Sequence, residues 1–534
     1  MSSRADKAAV GLGAAALLMA ASGLLSRLLG YGREILLAYF VGVGRESDAY
    51  FAAFVLPDLL NYLIAGGALS IAFLPIYAQA REREGEEAAA RLLATTLGNL
   101  GLIVCVATAI LWIFADPLIR LQFPEFDAET HALTVEITRI VAPAQVFFFL
   151  GGVIKATLFA RGRFGAAALA PLIYNLGIIL GGVLLYGRFG IHGFAWGVLV
   201  GAAAGPFLAP FLDSRRDGRP GVRIALLDPG FRRYLWVAAP LMFGQSLLTV
   251  DEWFDKWFGA LIQPGAVAWL SYARKLMLIP VAVVGQAIAT AALPTLTRLF
   301  EQKRNEELAE TVERTLRAAL GLAIVGGAAL AAIAEPFVRF AYERGQWDGS
   351  DTVVVASILR ILAFAVPGWI VQQIAVRPFY ARGDTWRPMV LGTVVVLAAI
   401  PLYWRLSTSF GVEGLAWAGV IGMTVNAVAT LLLARKLHGA PRFTPLIVSG
   451  VRAGLLAGPA WLAARYSATW LFGSAPNSGA LHLPGGTPGA LLQVAIVAGV
   501  FALVTVLLMP FLGDPELRAL LVRRLRIKRW TSRA

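Results

Sequence analysis

Apolar runs close to the length of a bilayer crossing recur along nearly the whole of this chain. A helix needs about 20 mostly apolar residues to cross the hydrocarbon core. Only helices and closed barrels satisfy their backbone polar groups there. The runs are unbroken rather than alternating, which excludes a barrel. The pattern predicts an all-α polytopic membrane protein with about fourteen transmembrane helices, near 8–40, 48–80, 91–115, 131–160, 165–186, 192–212, 233–259, 266–298, 314–334, 354–381, 387–405, 413–436, 446–470 and 489–512. The first two spans are long and partly charged, so kinks are expected at Gly30 and Gly32 and at Pro57.

Composition agrees. Of 534 residues 58% are hydrophobic and 15% charged, and mean hydropathy is +0.69; a soluble domain carries about a quarter charged residues. The net charge of +14 would suggest nucleic acid in a soluble protein. Here the basic residues fall in short runs between apolar stretches, so anionic lipid headgroups are the expected partner and nucleic acid is not. The single cysteine, Cys105, lies in an apolar run and reads as a small hydrophobe. No HExxH, no GxxxxGK[ST] loop, no Ser-His-Asp set and no metal-ligand cluster occur, so neither an enzyme nor a cofactor is expected. The run beginning near Ala8 continues past Ser26 without a cleavage site and reads as a permanent first helix.

Basic residues set the orientation. With the N-terminus inside, the fourteen-span reading puts 29 Lys and Arg on the cytoplasmic side and 6, Arg45, Arg120, Arg188, Arg339, Arg344 and Arg405, on the other. The positive-inside rule then places both termini in the cytoplasm.

Three short patterns recur at nearly constant spacing. Leu74-Pro75 returns as Leu293-Pro294, 219 residues on. Ala160-Arg161-Gly162 returns as Ala381-Arg382-Gly383, and Gly190-Ile191-His192-Gly193-Phe194-Ala195-Trp196 as Gly411-Val412-Glu413-Gly414-Leu415-Ala416-Trp417, each 221 on. The repeat covers an even number of helices, so its copies run parallel, as in transporters that work by alternating access. The expected division is a six-helix lobe over 1–215, a second over 231–437, and an added helix pair with a basic tail over 443–534. The link from Gly473 to Gly489 reads as an extracytoplasmic loop.

Ionisable groups inside spans are costly and are candidates for function. Arg27, Arg33 and Glu34 lie in the first helix, Arg27 and Glu34 seven apart and so on one face, Arg27 and Arg33 about 120° apart around a straight helix. Paired guanidiniums suit a diphosphate, each offering a planar fork of donors. The other reading is that Arg27 pairs with a carboxylate such as Asp58 and staples helices together. Asp48, Asp58 and Asn61 follow in the second span, the last two on one face. Asp251 and Asp255 of the seventh, four residues apart, either bind a coupling cation or face headgroups. Arg274 and Lys275 enter from the eighth, while Lys155 and Arg377 read as snorkelling.

The stretches Leu25-Ser26-Arg27-Leu28-Leu29-Gly30-Tyr31-Gly32-Arg33-Glu34, Ser47-Asp48-Ala49-Tyr50-Phe51-Ala52-Ala53-Phe54, Leu56-Pro57-Asp58, Pro171-Leu172-Ile173-Tyr174-Asn175 and Phe379-Tyr380-Ala381-Arg382-Gly383-Asp384-Thr385 resemble the signatures of the MurJ (MviN) lipid II flippases. The resemblance implies the MOP exporter fold, transport of lipid-linked peptidoglycan precursor across the inner membrane, and no chemistry on the substrate. It implies that Arg27 and Arg33 contact the diphosphate, that Ser26 and Asp48 line the cavity, and that helices thirteen and fourteen hold the polyprenyl tail. The chain departs from the family in several places. Glu34 stands for an Asp, Asp58 for an Asn, Asn61 for an arginine and Gly66 for a glutamate. Tyr272-Ala273-Arg274-Lys275 stands for Tyr-Ala-Asp-Arg, so Arg274 reads as compensation for the arginine missing at Asn61, and Lys275 keeps charge without the fork. The asparagines some relatives use for sodium are absent from Val390 to Ala399, which leaves membrane potential, worth about 2.3 kcal/mol per charge per 100 mV, or another cation as the drive. The expected substrate is lipid II and the expected state a monomer. The alternatives are a flippase for another polyprenyl-diphosphate-linked glycan (exopolysaccharide or O-antigen), a non-transporting membrane scaffold, or a cation-coupled drug exporter with its site at Asp251 and Asp255.

Overall fold

The computed structural model describes residues 2–64, 73–218, 220–247, 250–382, 384, 386–472 and 486–518, with the side chains of 2–16, 62–64, 239–252 and parts of 283–294 outside that description. Gly66, most of the Gly473–Gly489 link, the end of the basic tail and the Asp251 side chain therefore lie outside the described residues.

Among the described residues every element is helical, and contacts divide the chain into two units, Met1–Thr249 and Val250–Ala534. The first contains α1 (Ser2–Val41), α2 (Arg45–Ala53), α3 (Val55–Ile64), α4 (Leu74–Glu84), α5 (Glu86–Ile113), α6 (Ala115–Gln122), α7 (Ala128–Val141), α8 (Ala144–Ala160), α9 (Gly165–Phe189), α10 (His192–Ala202), α11 (Ala209–Ser214) and α12 (Pro229–Leu247). The second contains α13 (Val250–Ala260), α14 (Ala266–Pro280), α15 (Gln286–Glu301), α16 (Asn305–Tyr342), α17 (Gly349–Leu362), α18 (Ala365–Ala375), α19 (Arg377–Tyr380), α20 (Trp386–His438), α21 (Phe443–Phe472) and α22 (Thr487–Leu512).

Among the described residues, eight helical segments are long and apolar enough to cross a membrane, or nine if α17 to α19, bent by 44°, make one span. The 53-residue α20 covers two of the predicted spans and turns between them at Gly411. The predicted spans at 8–40, 48–80, 233–259 and 266–298 each include residues outside the description. Helix α1 runs unbroken through Gly30 and Gly32, where kinks were expected. The second span does break, at Phe54, three residues before Pro57.

The repeat is visible in local geometry. Helices α7 and α17 are both 14 residues long, start 221 residues apart, and are capped by Asp127 and Asp348, whose carboxylates accept backbone N–H groups. After α8, Arg163 N–H reaches back to the Leu158 carbonyl (2.8 Å), and at the matching place Asp384 N–H reaches Phe379 (3.0 Å). Gly190 (φ 54°, ψ −140°) and Gly411 (φ 57°, ψ −135°) adopt one conformation, in a region where a side chain is strained.

In the first unit, α4, α5, α8 and α12 bury Phe73, Tyr77, Phe149, Phe231 and Tyr234 together. Helices α9 and α10 meet backbone to backbone, because a Cβ on Gly177 would lie 2.6 Å from Gly201 Cα and one on Gly181 2.6 Å from Gly197 Cα. Small residues four apart are the usual device for this in lipid, where burial of apolar surface gives no drive between helices. The segment over 220–225 runs along α5, ahead of a turn at 226–227. Asn99, fully buried, donates from Nδ2 to the Ala225 carbonyl and accepts the Ala225 N–H, both at 2.8 Å, and Arg223 N–H reaches the Ala94 carbonyl at 2.9 Å. Gly98 is required there, since its Cβ would stand 2.2 Å from the Arg223 carbonyl oxygen. Gly98→Ala is expected to lift this segment off α5 and raise amide exchange over 221–227 at least tenfold, with α5 itself still protected; hydrogen–deuterium exchange in detergent reads both.

Candidate functional site

In the first unit, α1, α2, α3 and α9 bring charged and phenolic groups into an otherwise apolar setting. Helix α1 packs along α9 and is tied to it twice. Ser22 donates to the Ala168 carbonyl. Asn175 Nδ2 lies 3.2 Å from Ser26 Oγ, 3.3 Å from the Ser26 carbonyl and 3.0 Å from that of Pro171. Ser26 thus holds the helix pair in register at the level of the charges.

Seven residues further along α1, Arg33 donates from its guanidinium to Glu34 Oε1 at 2.5 Å, and the two side chains are 21% and 5% exposed. A carboxylate this deep needs a counter-charge. The pair is electrically neutral, yet only one N–H of Arg33 is used within the described residues. A guanidinium has five, so four N–H groups are not engaged by Glu34. Tyr50 of α2 and Tyr174 of α9 lie in electrostatic reach of Arg33, and Asp58 of α3 in reach of Tyr174. Arg27 is exposed on α1, and it and Glu34 both lie in electrostatic reach of Tyr31.

Helix α3 is placed by a missing hydrogen bond. Pro57 has no N–H to give the Ala53 carbonyl four residues back. Thr138 Oγ1 of α7 donates to that carbonyl instead, at 3.2 Å. The break lets α3 begin afresh at Val55, with Asp58 in its first turn, where a negative charge is favoured. Asp58 and Asn61 are half-buried on this helix. Asp48 is 2% exposed in the first turn of α2.

In the second unit, Arg274 of α14 forms a buried ion pair with Asp255 of α13. The sequence suggested that Arg274 faces a cavity and offsets the arginine missing at Asn61; the structure gives it a carboxylate partner 19 residues back in its own unit. The same contact occupies Asp255, one of the two carboxylates suggested for a cation. Lys275 beside it is half-buried. Tyr272, one turn toward the start of α14, packs with Tyr342 and Trp347 at centroid distances of 4.9 and 5.1 Å.

Sequence reasoning named Arg33 but not Tyr50, Tyr174 or Asn175, and it treated Glu34 as a face-mate of Arg27 rather than the partner of Arg33. Tyr174 and Asn175, adjacent polar residues in a 25-residue apolar helix, were the available signal.

Comparison with known proteins gives a consistent result. The family profile described as "Lipid II flippase MurJ" matches residues 37–480. A relative from Rhizobium meliloti named "Probable lipid II flippase MurJ" is 31% identical over 414 residues, 76% of this chain and 77% of its own length. The solved structure titled "Lipid II flippase MurJ, inward closed conformation" superposes with a TM-score of 0.75 at 22% identity, covering 92% of this chain and 99% of that one. An inward-facing multidrug resistance MATE transporter of the MOP superfamily has the same fold, at a TM-score of 0.66 and 17% identity over 78% of this chain and 94% of its own.

Thr138→Val leaves the Ala53 carbonyl without its donor and is expected to cost about 1–3 kcal/mol, read as a lower thermal midpoint in detergent. Thr138→Ser keeps the hydroxyl and recovers most of that loss.

Proposed function

Since the chain belongs to the lipid II flippase MurJ family, we propose that it carries lipid II, the polyprenyl-diphosphate-linked peptidoglycan precursor, from the cytoplasmic to the periplasmic face of a bacterial inner membrane by alternating access. The chain is a transporter and not an enzyme. The observation that carries the site reading is Arg33, half-buried in an apolar helix and using one of its N–H groups on Glu34. Remaining donors on a guanidinium fixed by a neighbour suit phosphate oxygens, and a neutral Arg–Glu pair lowers the cost of keeping the charge in lipid when no substrate is bound. Arg27 is the second phosphate contact in this reading. Ser26 and Asn175 set the register of α1, Asp48, Asp58 and Asn61 line its neighbours, and Lys275 contributes charge from the second unit with Arg274 holding its helix. The lobes over 1–215 and 231–437 move against each other, with 443–534 an added pair. Both termini lie in the cytoplasm, supported by the 29-to-6 bias in basic residues, and the protein works as a monomer. Membrane potential acting on cavity charge drives the cycle. A coupling cation at Asp251 and Asp255 would have to displace the guanidinium already on Asp255.

A second glycan substrate is favoured by specific residues. Asn61 and Lys275 put one neutral side chain and one point charge where the family resemblance implies arginines.

The test is rescue of a strain depleted of its lipid II flippase. Wild type restores growth; Arg33→Ala at equal membrane level does not, with transport reduced roughly ten- to a hundredfold for the lost charge-assisted contacts, and Arg33→Lys rescues in part. Full growth with Arg33→Ala overturns the phosphate role. Failure of well-inserted wild type to rescue transfers the substrate assignment to another polyprenyl-linked glycan.

A further inference from the structure

Helix α8 differs from its neighbour α9 in having no exposed face. None of residues 144–160 is exposed, whereas α9 turns outward a row of leucines, Leu169, Leu176, Leu180 and Leu184, that are 45% to 71% exposed. On α8, Phe149, Val153, Ile154 and Ala156 enter the core of the first unit, and Val146 and Leu150 pack against it. Gly151 closes on the backbone at Pro206, and Phe147 lies on Phe207. What remains is a narrow half-buried stripe of Phe148, Gly152, Lys155 and Phe159, spaced four, three and four apart and so on one side of the helix.

The stripe leads to the charged cluster described above. Phe148 meets Tyr174 of α9 edge to face at 5.1 Å, and Tyr174 lies in electrostatic reach of Arg33 and Asp58. Lys155 stands two turns further along α8, a rise of about 10 Å.

Lys155 is half-buried and has no hydrogen bond or ion pair among the described residues. The cations just beyond it are answered, Arg161 by Glu86 at 2.7 Å and Arg163 by Asp217 at 2.6 Å. An ammonium left uncompensated in an apolar bundle is destabilising. Snorkelling, the reading its sequence position suggested, would carry the charge to the Ala160 end, which the fourteen-span reading puts at the cytoplasm. A helical side chain instead leans toward the N-terminal end of its helix, which for Lys155 is the direction of Phe148. Nor does the repeated architecture call for a cation at this place, since the residue 221 positions on is Val376.

We propose that Lys155 is a further phosphate contact for the transported lipid, placed so that the diphosphate meets its ammonium before it reaches the Arg33 guanidinium. The proposal rests on the polyprenyl-diphosphate reading given above. An ammonium is a compact charge with three rotatable donors, suited to an oxyanion that arrives and moves on, whereas the planar fork of Arg33 fixes one orientation. The phosphate supplies the counter-charge that the helices around Lys155 do not.

Native mass spectrometry of the full-length, delipidated protein titrated with undecaprenyl diphosphate or phosphatidylglycerol tests it, with thermal midpoints in detergent measured without added lipid. Lys155→Met keeps an unbranched stem and removes the charge. It is expected to weaken undecaprenyl diphosphate about tenfold, as for loss of one charge-assisted contact, and to leave phosphatidylglycerol within about twofold. Its midpoint stays level or rises, because a desolvated charge has gone. Lys155→Arg retains most of the diphosphate affinity. Undiminished diphosphate binding by Lys155→Met, with Arg33→Ala weakened, overturns the proposal and leaves the Arg33 site standing. Undiminished binding by both variants overturns the site reading with it. Equal weakening toward the two lipids overturns the proposal by making Lys155 a general headgroup contact. A midpoint that falls in Lys155→Met and recovers in Lys155→Arg overturns it by making the lysine structural.

Discussion

A polar group within an apolar helix bundle has no water to fall back on, and that requirement explains more of this structure than any packing preference. Each unit meets it locally. Glu34 is answered by its neighbour Arg33, Asp255 by Arg274, and Asp514 by Arg317 and Ser449, at 2.9 and 2.6 Å. Backbone groups obey the same rule: the Ala53 carbonyl orphaned by Pro57 takes its proton from Thr138, and the Ala225 peptide is satisfied from both sides by Asn99. The proposed phosphate role falls to Arg33, which uses one N–H on Glu34 among the described residues. A guanidinium with one N–H engaged is stable enough to fold around and still able to grip an oxyanion, which a fully encased ion pair is not.

Much of the architecture was legible in the amino-acid order because it follows from hydropathy and turn chemistry. Apolar runs located the long helices. The paired motifs announced the repeat, and the structure repeats their consequences in capping carboxylates and in two left-handed glycines. The site was legible only in part. Helical periodicity relates residues three, four and seven apart, so it linked Arg27 with Glu34 and overlooked the contact between adjacent Arg33 and Glu34. The bond from Asn175 to Ser26 spans 149 positions, and nothing in either local pattern encodes which face of α1 meets α9. The pairing of Arg274 with Asp255 was not legible either, since the two are 19 positions apart with the turn at 261–265 between them.

The two copies have kept their turns and changed their charges. After α8, Arg161 reaches Glu86 and Arg163 reaches Asp217, at 2.7 and 2.6 Å, so the turn is lashed to α5 and to the stretch after α11. Arg81 and then Arg161 hold the Glu86 carboxylate below its usual range, so it stays ionised in this exposed network. In the second copy the residue matching Arg163 is Asp384, which among the described residues pairs with nearby Arg387 at 3.2 Å, and Arg382 lies over Phe300. One turn geometry thus supports a wide ionic network in one place and a short local pair in the other.

The bond between Arg317 and Asp514 has an implication for how the protein is made. Its two ends are 197 residues apart, and the acid follows the last long helix. During translation the arginine enters the membrane with its counter-ion still unsynthesised, and the ribosome must complete α21 and α22 before that charge is neutralised. The contact that closes around Arg317 therefore depends on residues that follow α22, far along the chain from the arginine itself.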